Sequence, residues 1–443
     1  MSDDGSRWRR ENALLCAAAR VTPGVAPGMD APGVRDWDYL LRAADQHGIL
    51  PLLHQRVQTD QTIAPPQEVA ARLSGAYWAN HFRNRVLLHS LTEVLREAAT
   101  EGISVMPLKG AALALLYYDA PALRPMSDLD LLVQPGDVAA MTGMLRRLGY
   151  VEIPGSFMLL DERFRETEWG ERRFVAHRSG CDVLIEFRIE PLDPLVETLS
   201  ALDPALAAAL HDRAALMWAR SCPATYEGAP FMRMSPEDLL LHVASHLITR
   251  HRYLRLLWLR DLALVVAAHD DIDWAYLGDA ARQLRLAVSV HAAFAAAERM
   301  LGVAIPFTAL ERSLFAGGEG RKPLQRAERT FFARRLRAID GSDLSASSYA
   351  PIWLVAASFG RLRGWKPRLR ALRWIIFPSR EYLAAWGNKP IPARRTAYIA
   401  TFLRFGGVSL LRALGGACRV ARVPVLPALI DRFMGRVRPF GAE

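Results

Sequence analysis

Lysine is nearly missing from this chain of 443 residues. Of its 56 Lys and Arg, four are lysine, Lys109, Lys322, Lys366 and Lys389, so Lys109 is the sole lysine of the first 321 residues. Where arginine is the default cation, a lone lysine beside Gly110 points to a place that wants a compact ammonium rather than a planar guanidinium. Cysteine is equally sparse. Cys16, Cys181, Cys222 and Cys418 lie far apart, without the paired spacing of a zinc site or the density of a disulfide framework, so a reduced, cytoplasmic setting is expected. No run reaches the roughly 18 uninterrupted apolar residues a membrane span needs, and the first residues show no basic stretch leading into an apolar one. Neither a span nor a secretion leader is therefore expected.

What is present suits a globular chain. At 51% hydrophobic it can bury at least one large core, and its length suggests two or three domains. The net charge of +10 is unevenly spread: residues 321–443 hold 24 Lys and Arg against 6 Asp and Glu, a net of +18, while the rest holds 32 against 40, a net of −8. A C-terminal region so basic could meet nucleic acid, anionic lipid or an acidic partner through long-range attraction, or be simply a solvated helical face.

Periodicity divides the chain into four regions: a helical N-terminal region (1–100), an α/β core (101–192), a helical domain (193–320) and the basic helical remainder (321–443). In the first, 68–100 reads as one long amphipathic helix. The second reads as a short buried strand at 103–108, a helix at 110–118, a proline-punctuated loop at 120–126, a strand at 128–133 and a helix at 137–148 ended by Gly149. Two further strands, 173–176 and 182–189, flank a turn at Ser179-Gly180. From 194 onward the pattern is almost wholly helical, with Ser235-Pro236 as an N-cap and first helical position, then helices at 239–249, 254–269 and 274–300. The expected fold class is α+β, a small sheet unit embedded in a mostly helical chain.

The chemistry concentrates in the sheet unit. Side chains alternate faces along a strand, so Asp128 and Asp130 share one face while Leu129 and Leu131 take the other. Two carboxylates so placed repel unless a cation lies between them. Mg²⁺ (or Mn²⁺) is the economical answer, since it prefers one or two carboxylates plus phosphate oxygens and water. Lys109 and Arg124 are candidate holders of triphosphate oxygens, a surface ion pair being the equal alternative for Arg124. Gly110, at a strand-to-helix junction, lets backbone amides approach a phosphate, and the Ser127 hydroxyl could orient the loop carrying Asp128. Asp182 and Glu186 share a strand face, and either acid could join the pair; Glu186 is the better candidate for a third carboxylate and general base, because a mid-strand charge is costly unless it has a role. His242 and His246 have the spacing of a metal pair on one helix, but the leucines around them favour packing. Arg255, Arg260 and Asp261 are expected to pair along their own helix.

The runs Met106-Pro107-Leu108-Lys109-Gly110-Ala111-Ala112-Leu113, Arg124-Pro125-Met126-Ser127-Asp128-Leu129-Asp130-Leu131-Leu132-Val133 and Leu148-Gly149-Tyr150 resemble the uncharacterised nucleotidyltransferase family of bacterial biosynthetic clusters, a branch of the polymerase-beta-like superfamily. The likeness continues through Ser235-Pro236-Glu237-Asp238-Leu239-Leu240-Leu241-His242, Trp258 with Asp261-Leu262, and Asp273-Trp274, and extends to Phe377-Pro378-Ser379-Arg380-Glu381-Tyr382. It implies a polymerase-beta-like sheet unit, Asp128 and Asp130 as metal ligands, and transfer of a nucleoside monophosphate from an NTP to an unidentified small-molecule, peptide or protein acceptor. Lys109-Gly110 occupies the place where the wider superfamily has Gly-Ser, so nucleotide contacts cannot be copied across. The strand Leu184-Ile185-Glu186-Phe187-Arg188 also departs from the family's usual ending. Two other readings stand beside this one: a non-catalytic nucleotide-binding scaffold, and a nucleic-acid-binding protein using the basic C-terminal region.

Overall fold

Four helices precede the sheet in a computed structural model that describes residues 8–21, 34, 36–153, 172–192, 203–247, 255–318, 330, 362, 364–367 and 369. They are α1 (Arg9–Ala19), α2 (Trp37–Gln46), α3 (Leu50–Thr59) and α4 (Gln67–Thr100). Most of the basic region 321–443, including the 377–382 motif, lies outside the described residues. Asp36 caps α2 by accepting the Tyr39 N–H at 2.8 Å, and α4 is the long amphipathic helix that the sequence announces.

The α/β part follows as β1 (Val105–Pro107), α5 (Lys109–Leu116), a 3₁₀ turn at Pro121–Leu123, β2 (Leu129–Val133), α6 (Val138–Arg147), β3 (Val151–Ile153), β4 (Arg172–Arg178) and β5 (Cys181–Arg188). The strands form one mixed sheet in the order β1-β2-β5-β4-β3. Only β2 and β5 run parallel, with Asp130 opposite Glu186 and Leu132 opposite Arg188; the other neighbours are antiparallel. The β4–β5 turn is Ser179-Gly180, with φ of 46° and 78°, the left-handed pair that a tight hairpin requires.

Beyond the sheet come α7 (Pro204–Arg220), a hairpin of β6 (Cys222–Tyr226) and β7 (Ala229–Arg233), then α8 (Pro236–Ser245), α9 (Leu256–Ala267), α10 (Trp274–Gln283), α11 (Ala287–Leu301) and α12 (Phe307–Leu314). Ser235 caps α8 as expected, its Oγ accepting the Asp238 N–H at 3.2 Å. Two expectations fail here. The hairpin interrupts a stretch read as helical, and the helix read over 274–300 is broken where Arg285 adopts φ 59°, a conformation an α-helix cannot contain.

The sheet is packed on both faces. Leu129, Leu131, Val133, Phe174, Val183, Ile185 and Phe187 face a core shared with Leu87, Leu91, Val94 and Leu95 of α4 and Met141, Met144 and Leu145 of α6. Met106, Leu108 and Leu132 belong to a second core built with Leu239, Leu240 and Val243 of α8 and the helices around it. The fold is therefore α+β, a five-stranded mixed sheet within a mostly helical chain. Among the described residues no helix is long and apolar enough to cross a membrane.

Candidate active site

Lys109 meets Asp130 because two strands pair and one residue turns. Pro107 lies opposite Leu131 in the antiparallel β1–β2 ladder, and the Leu108 N–H extends that ladder to the Asp130 carbonyl at 2.9 Å. The chain must then leave the strand at once to begin α5. It does so at Lys109, whose φ of 45° is left-handed, a conformation that costs a side-chain-bearing residue about 1–3 kcal/mol and concentrates at functional sites. The side chain returns over the strand and places Nζ 2.6 Å from Asp130 Oδ1. Gly110 follows because the loop packs on it: a Cβ there would sit 3.1 Å from Met126 Cγ and 3.3 Å from Arg124 Nη1.

That loop, leading to Ser127 and Asp128, is held from two sides. From α4, Asn80 Nδ2 donates to the Ala122 carbonyl (2.5 Å), Asn84 Nδ2 to those of Pro121 (2.5 Å) and Arg124 (2.7 Å), and Arg83 to those of Met126 (3.2 Å) and Ser127 (3.1 Å). From α9, Asp261 takes the buried Arg124 guanidinium in a bidentate pair, Nε to Oδ1 at 2.9 Å and Nη2 to Oδ2 at 2.8 Å. The Tyr118 hydroxyl also donates to Asp261 Oδ1, at 2.8 Å. Burial opposes the charge on Arg124, but Asp261 outweighs it and the guanidinium pKa is raised. Here the structure departs from the sequence reading in one respect, since Asp261 pairs across the fold rather than along its own helix; Arg124, read as a phosphate contact or an ion pair, is held by Asp261. Ser127 Oγ donates to the Asp128 carboxylate, Oδ1, at 2.9 Å.

The two carboxylates sit in different surroundings. Asp130 is 4% exposed, enclosed between the sheet and the second core rather than on an open face. Burial alone would raise its pKa; Lys109 and then Arg188, whose Nη2 lies 3.7 Å from Oδ1, reverse this and hold it at about 2. Asp128 is half-buried, and its pKa is raised, first by burial and then by the neighbouring Asp130 charge, with Lys109 opposing. One ammonium thus serves Asp130 far better than Asp128.

Of the two acids on β5, Glu186 lies beside Asp130 in the parallel ladder and is buried, with Arg173 Nε donating to Oε1 at 2.8 Å. Asp182 lies at the far, exposed end, paired with His177 at 2.9 Å. Asp128 and Asp130 make a donor set that suits Mg²⁺, which takes one or two carboxylates and completes its shell with phosphate and water. Among the described residues no group of three His, Cys, Asp or Glu side chains converges as a metal site. His242 and His246 make other contacts. His242 is buried with Nδ1 against the Pro191 carbonyl; a carbonyl only accepts, so Nδ1 carries the proton, and burial, aided by Lys109, lowers the pKa to about 4 and keeps the ring neutral. The His246 ring meets the Trp258 ring edge-on, 5.9 Å between centroids.

Sequence reasoning missed Asn80, Arg83 and Asn84. Their signal was available, since polar residues at i, i+3 and i+4 form a stripe along one side of a helix, and Asn84 is fully buried. Arg173, Arg188 and the Asp261 partnership offered no local pattern.

A profile of a family described as uncharacterised nucleotidyltransferase matches residues 34–302, a span holding the sheet, the loop before Asp128, Asp261 and helices α2 through α11. No curated protein and no solved structure matches the chain significantly.

Proposed function

The chain belongs to this uncharacterised nucleotidyltransferase family, and from that premise we propose that the Lys109–Asp130 cleft transfers a nucleoside monophosphate from an NTP to a hydroxyl, phosphate or carboxylate acceptor in a metal-dependent reaction. The observation that carries the reading is the coupled carboxylate pair, Asp128 and Asp130, joined to Lys109 at a strand-to-helix turn and held by a loop fastened on two sides.

Asp128 and Asp130 are the residues that would hold Mg²⁺ or Mn²⁺. Such an ion supplies charge neutralisation of the triphosphate and activation of the acceptor oxygen. Lys109, a flexible point charge, releases Asp130 and donates to a triphosphate oxygen. Gly110, with no side chain, lets the loop of Arg124 and Met126 close against the start of α5, whose N-terminal backbone N–H groups favour phosphate. Ser127 fixes the Asp128 carboxylate, and Arg124 acts indirectly by keeping the loop in register with α9. Glu186 is the third acid, positioned to take the acceptor proton once Arg173 yields it. In such reactions positioning and electrostatic complementarity supply most of the acceleration.

The test is incubation of the protein with labelled NTPs, Mg²⁺ and cell extract, followed by mass analysis for a nucleotidylated product. Expected is a product carrying one added NMP, absent with Asp128→Asn or Asp130→Asn. Full transfer by either variant, or no NTP binding by the wild type, would overturn the reading.

A further inference from the structure

The cleft is charge-balanced by its own side chains. Asp130 faces Lys109 at 2.6 Å and Arg188 at 3.7 Å on the same oxygen, Oδ1. Glu186 faces Arg173 at 2.8 Å. With Asp128, three carboxylates stand against Lys109, Arg173 and Arg188, and Arg124, itself paired with Asp261, also acts on Asp128. Asp130, Glu186 and Arg188 are all buried, and the Lys109 side chain is 17% exposed, so an added charge is poorly screened here.

A bare divalent cation entering this cleft would leave it with an uncompensated +2 and would compete with Lys109 for Asp130. A divalent cation arriving on a polyphosphate brings its own counter-charge. The complex of a divalent ion with a nucleoside triphosphate carries about −2 at neutral pH, because each phosphate brings acidic oxygens of its own. Its oxygens offer Lys109 a new partner when the ion takes Asp130. Lysine suits that exchange: its charge is compact and its stem flexible, whereas a guanidinium would stay forked onto the carboxylate.

Resting on the nucleotidyltransferase reading, we propose that Lys109 is a resident counter-ion that excludes free divalent metal from Asp128 and Asp130, so that the metal is admitted only as its complex with the polyphosphate substrate. Lys109 thereby sets the order of binding as well as holding phosphate.

The experiment is equilibrium dialysis of the full chain against Mn²⁺ alone and against Mn²⁺ with inorganic tripolyphosphate, a probe free of any base preference. Expected for wild type is strong retention of Mn²⁺ with tripolyphosphate and at least tenfold weaker retention without it. Lys109→Gln, which keeps a donor for Asp130 but removes the charge, should raise retention of bare Mn²⁺ at least tenfold and blunt the effect of tripolyphosphate. Wild type that holds bare Mn²⁺ as tightly as Lys109→Gln overturns the inference. Circular dichroism checks the variant's fold; should it fail, the wild-type comparison alone decides, and retention independent of tripolyphosphate overturns the inference. NMP transfer, measured on the same preparation, separates the two claims: transfer alongside tight bare-Mn²⁺ binding removes the counter-ion role and leaves the activity, whereas no retention of Mn²⁺ in either form removes both.

Discussion

Replacing Asp130 by asparagine should cost stability as well as activity. The side chain is buried against Lys109 and Arg188, which hold its pKa at about 2 against an ordinary 3.8. That depression makes the ionised form worth roughly 2–3 kcal/mol to the folded state at neutral pH. Asparagine resembles the protonated carboxyl in shape and charge, so Asp130→Asn should lose about that amount. This is a sizeable part of a total stability of about 5–15 kcal/mol, yet compatible with folding. The sign of the pH dependence follows from the depressed pKa: the contribution is fully present above 3.8 and is lost as pH falls through 2. The gap between wild type and variant should therefore stay roughly constant from pH 7 to 5, and shrink to roughly half by pH 3. Urea denaturation of both proteins across that range measures it. A gap under about 0.5 kcal/mol at pH 7, or one that does not close with acid, would mean that Asp130 is not held by these cations. Sequence alone, with both acids on an open strand face, would have allowed the substitution at little cost.

Lys109→Arg should weaken NTP binding about tenfold, or about 1.4 kcal/mol, because a planar guanidinium must replace an ammonium 2.6 Å from Asp130 on a left-handed residue; unchanged affinity in a nucleotide titration would return Lys109 to a structural role. Glu186→Gln should leave NTP binding intact and sharply lower turnover, while Asp182→Asn, at an exposed hairpin end, should do little; steady-state kinetics giving the opposite ranking would move the base to Asp182. Asp261→Ala strands the buried Arg124 and should lower unfolding free energy by about 3–5 kcal/mol, the usual cost of removing one partner of a buried pair. A loss below 1 kcal/mol in chemical denaturation would contradict the buried pairing.

Local pattern made most of the sheet legible. Alternating apolar residues marked β2 and β5, Ser179-Gly180 marked the turn, and Ser235-Pro236 marked the start of α8, because each rests on interactions between near neighbours. The failures have physical causes too. Strand β3 is three residues long and its first, Val151, is 65% exposed, leaving no alternation to read. The β6–β7 hairpin carries Pro223 and Pro230 and turns at Glu227-Gly228, both with positive φ, inside a stretch whose composition otherwise favours helix. The break at Arg285 separates two helices rich in alanine, and nothing in either signals a left-handed residue between them. At the site, Lys109, Ser127, Asp128 and Asp130 were visible as residues because they lie close in sequence. Their partners were not: Arg124 and Asp261 are 137 residues apart, and a contact of that kind leaves no trace in a single chain's periodicity.

The stripe Asn80, Arg83 and Asn84 has a consequence for how portable this chemistry is. Every residue proposed to touch nucleotide lies at or after Lys109, so a protein engineer would be tempted to excise the sheet as a catalytic cassette. Cutting at Thr100 would strip five carbonyl contacts from the loop that presents Asp128 and lay bare the apolar side of β2 and β5 that Leu87, Leu91, Val94 and Leu95 cover. Grafts and chimaeras should therefore carry α4 with the sheet, and substitutions along its polar stripe should reach the carboxylates without altering any group that meets the substrate.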